Sequence, residues 1–238
     1  MNIKLGDSIK AILFDLDGTL IDCDVNLFTR DYLKRLSTVL APFIPPKKTI
    51  SALLRASSAI DESDGSKINI DAFREIFFSI VKQPEEIINP IIDKFYETEF
   101  PKLQIHFTTR PNARPLMKEI FIKNYKVVIA TTPLLPEIAI RQRLDWAGVG
   151  DFPYHLITTI ENSYVSKSLT NLLYYKNIID EIDLPAELCL MVGDEAKDMI
   201  AANLGCKTFL VDSPNTNLDD SIPEPTYHGT LADLRNLI

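Results

Sequence analysis

The chain has 238 residues, 46% of them hydrophobic and 24% charged, the proportions of a folded globular protein rather than a disordered one. There are 25 Lys and Arg against 33 Asp and Glu, a formal net charge of −8, and the basic residues form no tract longer than a pair such as Lys47-Lys48. This argues against nucleic acid or an anionic membrane surface as a partner, and no apolar run is long enough to span a bilayer.

In chain order, the first predicted element is a short apolar strand over residues 9–14 that ends at Asp15. The segment 22–109 then breaks into helical spacing: Val25, Phe28, Tyr32, Leu36 and Val39; Ile50, Leu53 and Leu54; Phe73, Ile76, Phe77 and Ile80. It is punctuated by Pro42, Pro45-Pro46, Pro84 and Pro90, carries a polar loop over residues 61–66, and contains no convincing buried strand. A helix is expected to open at Pro115, a strand to run over 126–130 into Thr131, and a helix to run from Pro136 to near Gly148. A strand over 154–157 is followed by a helix capped by Ser168. Strand 188–192 ends in Gly193-Asp194, helix 196–204 is closed by Gly205, and strand 207–211 follows. Residues 213–225 are expected to form a surface excursion before a last helix near 231–237.

Five apolar strands without polar alternation need cover on both faces, so they read as a parallel sheet. The fold class expected is α/β: a doubly wound, Rossmann-like parallel sheet core, residues 1–21 and 110–238, carrying a mostly helical insert, residues 22–109. The insert follows the first strand directly, so it is placed over the carboxyl end of the sheet, where open α/β sheets bind ligands.

The chemistry-bearing residues gather at strand ends. Asp15-Leu16-Asp17-Gly18-Thr19-Leu20 sends two carboxylates off one buried strand, two residues apart. Two such charges, partly desolvated, call for a counter-ion, and a hard cation such as Mg²⁺ takes oxygen ligands. Taken alone, Asp-x-Asp-Gly is equally a capped turn. Asp194 and Asp198, four residues apart at another strand end, supply a third and fourth carboxylate. Thr131-Thr132 offers hydroxyls and backbone N–H groups to a phosphate oxygen. Lys167 stands just before an expected helix start, where a cation is unfavourable unless it neutralises carboxylates or a phosphate. His106, His155 and His228 show no metal-ligand spacing, and Arg110 and Arg114 read as solvated residues near the return into the core.

In this order, the four segments resemble the motifs of the haloacid dehalogenase-like (HAD) hydrolase superfamily, and the resemblance spans nearly the whole chain. Where the family often continues its second motif with Asn, this chain has Thr132-Pro133; where the third often reads Lys-Pro, it has Lys167-Ser168. The resemblance implies a helical cap and a Mg²⁺-dependent phosphomonoester hydrolase. In that scheme Asp15 is the nucleophile that forms an aspartyl-phosphate, and Asp17 is the general acid and base. Thr131 or Thr132 and Lys167 hold the phosphoryl oxygens. Mg²⁺ sits on Asp15, the backbone carbonyl of Asp17 and Asp194, with Asp198 in support. Dehalogenases and phosphonatases of the superfamily lack an acid at the position of Asp17, which favours a phosphoester. The alternatives left open are a phosphosugar mutase and a low-turnover phosphate-binding protein on the same fold.

The expected partner is a small phosphorylated metabolite, with no nucleic acid and no membrane, and the chain is expected to be a monomer or homodimer. Met1–Lys10 lacks the apolar centre of a signal peptide. Cys23, Cys189 and Cys206 are odd in number and widely spaced, so no disulfide framework is expected. Together these point to a reduced cytoplasmic compartment.

Overall fold

Strand β1 (Ala11–Phe14) sits inside a parallel sheet with every side chain fully buried. It is flanked by β4 (Lys126–Ile129) and β6 (Cys189–Gly193). The computed structural model describes residue 5, residues 8–213, residue 216 and residues 218–238. Among these, six strands form the main sheet in the order β5-β4-β1-β6-β7-β8, with β5 at Leu156–Ile157, β7 at Lys207–Val211 and β8 at Tyr227–Gly229. All its pairings are parallel.

The period-two alternation of a strand divides the sheet's side chains between two apolar layers. Ile12, Phe14, Val127, Ile129, Leu190 and Val192 face one layer, with Leu116 and Ile120 of α5 (Ala113–Ile122) and Ile140 and Leu144 of α6 (Glu137–Trp146). Leu13, Val128, Cys189 and Met191 face the other, with Tyr174, Tyr175 and Ile178 of α7 (Leu173–Ile182). Both faces are therefore covered, as the unalternating strands require.

From β1 the chain goes to β4 and β5 on one side, then returns across β1 to β6, β7 and β8 on the other. The crevice at such a reversal opens at the carboxyl ends of the strands. Asp15 and Asp194 emerge there.

Residues 25–98 carry four helices: α1 (Val25–Leu40), α2 (Pro46–Asp61), α3 (Asn69–Val81) and α4 (Glu85–Thr98). Asp24 caps α1, its carboxylate accepting from the Leu27 N–H at 3.0 Å. A 3₁₀ helix, Phe100–His106, leads back to the core, and its Phe100 stacks on Trp146 of α6 with ring centroids 5.6 Å apart.

Several elements differ from expectation. The segment 22–109 holds no buried strand among the described residues, as expected, but a short half-exposed pair was not anticipated: β2 (Ile21–Cys23) and β3 (Phe107–Thr109) pair antiparallel, Ile21 opposite Thr109 and Cys23 opposite Phe107. Three residues each is too short to register as a period. Strand β8 is a sixth strand on the sheet edge, where alternation and length are again too slight to read. Helix α7 begins at Leu173, so Ser168 does not cap it; the Ser168 hydroxyl instead accepts from the Asn171 N–H at 3.2 Å in a turn. The stretch after Glu195 is one α turn, α8 (Ala196–Met199), followed by 3₁₀ helix to Leu204, and Gly205 closes it at φ +100°. The final helix, α9, runs Leu231–Leu237. Of the 213–225 excursion, residues 214, 215 and 217 lie outside the described residues, as do 1–4 and 6–7 of the amino terminus. The described part of the excursion is not wholly peripheral, because the Thr216 hydroxyl donates to the Asp194 carbonyl at 2.9 Å. No helix among the described residues is long and apolar enough to cross a membrane.

Candidate active site

Asp15 leaves β1 still tied to the sheet, its N–H donating to the Val192 carbonyl at 2.9 Å. The chain then wraps around one carbonyl: Leu16 O accepts from the N–H groups of Leu20 at 2.9 Å and Ile21 at 3.1 Å. This coil requires Gly18 at φ +83°, and a Cβ there would lie 2.2 Å from Asp194 Oδ2. Glycine thus serves both the left-handed turn and the close approach of a neighbouring carboxylate. Gly193, at the end of β6 in extended backbone, serves only the close approach: the carboxyl carbon of Asp198 would lie 2.2 Å from an added Cβ.

The result is a cluster of three buried carboxylates. Asp15, Asp194 and Asp198 each place an oxygen within 4.8 Å of the others. Lys167, its side chain fully buried, reaches into this group. Its Nζ donates to Asp15 Oδ1 at 2.8 Å and to the Ala130 carbonyl at 3.0 Å, and it is ion-paired with Asp198. Burial works against a charge on Lys167, but Asp15 and Asp198 outweigh it and hold the amine protonated, well above the ordinary lysine range.

One ammonium does not balance three carboxylates. Burial, reinforced by the charge of Asp15 and partly offset by hydrogen bonds from Ser213 and Thr19, pushes Asp194 up to about 6. Asp198 is pushed up to about 7, chiefly by burial, against the pull of Lys167. Excess negative charge on hard oxygen donors is the chemistry that a divalent hard cation satisfies, so these residues fit one. Thr19 steadies the cluster by donating from its hydroxyl to Asp194 Oδ1 at 3.1 Å.

Asp17 does not join the three converging carboxylates. Its Oδ2 is ion-paired with Nη1 of Arg143, and its Oδ1 is buried without a hydrogen-bond partner. Burial raises the Asp17 carboxyl above the usual range, Arg143 opposes this, and Asp15 adds to it; the net direction is upward. Arg143 was not among the residues singled out from the sequence. Its signal was its place on α6: Ala139, Ile140, Arg143 and Leu144 are all buried, so an arginine occupies the apolar stripe. Arg110 and Arg114, read from the sequence as solvated residues, are paired with Asp22 at 2.7 Å and with Asp151 at 2.7 Å.

Thr131 and Thr132 follow β4 and line the same cavity as Asp15, Asp17 and Asp194. The loop is pinned from behind: the hydroxyls of Thr158 and Tyr174 both donate to the Thr131 carbonyl at 2.8 Å. The cavity, about 1010 Å³, lies between the strand ends and the helices of residues 25–98.

The profile of the haloacid dehalogenase-like hydrolases matches residues 9–204 of the chain. A phosphoglycolate phosphatase of Vibrio cholerae serotype O1 is 27% identical over 214 residues, covering 85% of this chain and 84% of that protein. Among solved structures, a HAD phosphatase from Thermococcus onnurineus superposes with a TM-score of 0.57 at 17% identity, over 96% of this chain and 97% of that one. The L-2-haloacid dehalogenase of Xanthobacter autotrophicus superposes nearly as well, with a TM-score of 0.55 at 14% identity over 96% and 98%. At these identities the superpositions speak for the fold alone.

Proposed function

The chain belongs to the haloacid dehalogenase-like hydrolases, and from this premise, supported by its likeness to a phosphoglycolate phosphatase, we propose that it is a phosphatase that hydrolyses phosphomonoesters through an aspartyl-phosphate on Asp15, with Mg²⁺ as cofactor. The observation that carries the reading is the placement of two differently employed carboxylates at one strand end. Asp15 is gripped by Lys167 at 2.8 Å, while Asp17, two residues on, is held apart by Arg143 and its pKa is raised. One is paired with a cation at the mouth of the strand, as suits a nucleophile; the other is suited to carry a proton.

Asp15 attacks phosphorus and the ester P–O bond breaks. Asp17 gives its proton to the departing alcohol oxygen. The Asp17 carboxylate then takes a proton from water as that water's oxygen attacks the phosphorus, returning Asp15 and releasing inorganic phosphate. Lys167 neutralises the approach of an anionic ester to an anionic nucleophile, and Thr131 and Thr132 contact the phosphoryl oxygens. Asp15, the Asp17 carbonyl and Asp194 would hold Mg²⁺, with Asp198 in support. When bound, the ion supplies charge neutralisation for the phosphoryl group.

Residues 22–109 act as a cap over the core formed by 1–21 and 110–238, with the β2–β3 pair at its two points of attachment. The superposition with a dehalogenase leaves the fold neutral between the two chemistries, and Asp17 favours the phosphoester.

The experiment is phosphate release from a panel of phosphorylated metabolites and p-nitrophenyl phosphate, with Mg²⁺, with EDTA, and with Asp15→Asn. Release that needs Mg²⁺ and is abolished in the variant is the expected result. Turnover unchanged in folded Asp15→Asn would refute the nucleophile.

A further inference from the structure

The wall of the cavity facing the strand ends carries information about the alcohol part of the substrate. Phe28, Tyr32, Leu53, Phe73, Phe77 and Tyr96, from four successive helices, line it, with Leu134, Leu135 and Ile138 on the core side. At about 1010 Å³ it stands at the upper end of the range for small-molecule pockets. A two-carbon alcohol would leave most of that volume as water against aromatic faces, an arrangement that gains nothing from the hydrophobic effect.

The charges lining the cavity point the same way. Beyond the catalytic carboxylates, Asp93, Glu97, Glu161 and Glu195 border it, against the cations Arg74, Lys197 and Arg143. Each of these cations faces a carboxylate already: Arg74 pairs with Glu85 at 2.7 Å, Lys197 with Glu195 at 2.7 Å, and Arg143 with Asp17. A second anion on the substrate would meet a surplus of like charge, which disfavours it strongly in a partly desolvated cleft.

We propose that this site takes phosphomonoesters whose alcohol portion is a large apolar body without a second anionic group. The inference rests on the phosphatase reading above and names its substrate class.

It is tested by kcat/KM on n-alkyl phosphates from ethyl to hexyl, each compared with the phosphate of the same chain ending in a carboxylate, and with 2-phosphoglycolate. The expected result is a rise of roughly two- to fourfold per methylene and a loss of about tenfold or more when the terminal carboxylate is added. Phe73→Ala, checked for folding by its thermal midpoint, should flatten the dependence on chain length. A flat or falling series in the wild type, a preference for the carboxylated esters, or an unchanged slope in folded Phe73→Ala would each overturn the proposal. Failure of the parent reading looks different: no member of the series, nor p-nitrophenyl phosphate, releases phosphate at all.

Discussion

Arg143 places a guanidinium against Asp17 with 3% of the arginine exposed, and that contact assigns it a consequence in the first half-reaction. The pair favours the ionised carboxylate, the form that later activates water, and fixes the carboxylate's direction. Loss of the guanidinium therefore frees Asp17 to turn away from the leaving oxygen. A leaving group that needs a proton suffers, whereas p-nitrophenolate departs without one. In Arg143→Met, kcat/KM for an alkyl phosphate is expected to fall about 10²-fold or more, within the range general acids supply, and much less for p-nitrophenyl phosphate. Arg143→Lys should recover part of the difference. An equal loss on both substrates would assign Arg143 to binding or folding instead. Gly18 gives a second residue-scale prediction. Its φ of +83° and the 2.2 Å approach to Asp194 leave no room for a side chain. Gly18→Ala should cost about 1–2 kcal/mol from the backbone conformation alone and abolish turnover by displacing Asp194, as denaturant midpoints and phosphate release would report. Most of the candidate site was readable at this scale, because Asp15, Asp17 and Asp194 stand at strand ends, with Lys167 in the loop before a helix and Asp198 in the turn after Asp194. Arg143 was not, because a single arginine in a helix declares itself only once its burial is known.

Elements explain what joins the helices of residues 25–98 to the sheet. Phe100 is fully buried among Phe28, Tyr96 and Trp146, with its ring 5.6 Å from Trp146 on α6. It is the aromatic hinge-pin between the end of the insert and the core. Phe100→Ala should destabilise by about 3–5 kcal/mol, the usual cost of emptying a buried phenylalanine site. Ile105→Ala, five residues on and 77% exposed, should stay within about 0.5 kcal/mol of the wild type, and urea titrations of the two variants decide the matter. Four apolar strands of four or five residues and the amphipathic helices were legible because burial on both faces, or on one stripe, imposes a pattern that several residues repeat, and the expected strand over 154–157 forms only at Leu156–Ile157. Strands β2, β3 and β8 were not legible, being three residues each and stabilised by the partner they meet rather than by their own pattern. The same reasoning covers Ser168. A hydroxyl that can cap a helix can equally close a turn, and only the tertiary position of Lys167, drawn into the carboxylates, decides between them.

At the scale of the whole molecule, the carboxylate cluster makes stability depend on pH and on a cation together. Asp194 and Asp198 are raised to about 6 and about 7, chiefly by burial and in part by the charge of Asp15, whereas in the unfolded chain an aspartate titrates near about 3.9. A group whose folded pKa is raised keeps its contribution below the unfolded value and loses it as pH rises through the folded value. Without a divalent ion, then, these two groups weaken the fold progressively between about pH 4 and pH 7. A divalent ion held by the ionised cluster of the folded chain, as proposed for Mg²⁺, would reverse the balance, because the separated residues of the unfolded chain offer it no such site. At a hundredfold excess over its dissociation constant the ion adds about 2.7 kcal/mol. Other titrating groups act equally with and without Mg²⁺, so the quantity to measure is the difference in thermal midpoint between Mg²⁺ and EDTA. That difference should be small at pH 5, where Asp194 and Asp198 are largely protonated, and should grow to pH 8. Asp194→Asn, which removes one charge and one ligand, should shrink the difference at pH 8 while raising the midpoint in EDTA. A difference independent of pH, or one that survives intact in Asp194→Asn, would place the cation elsewhere on the molecule.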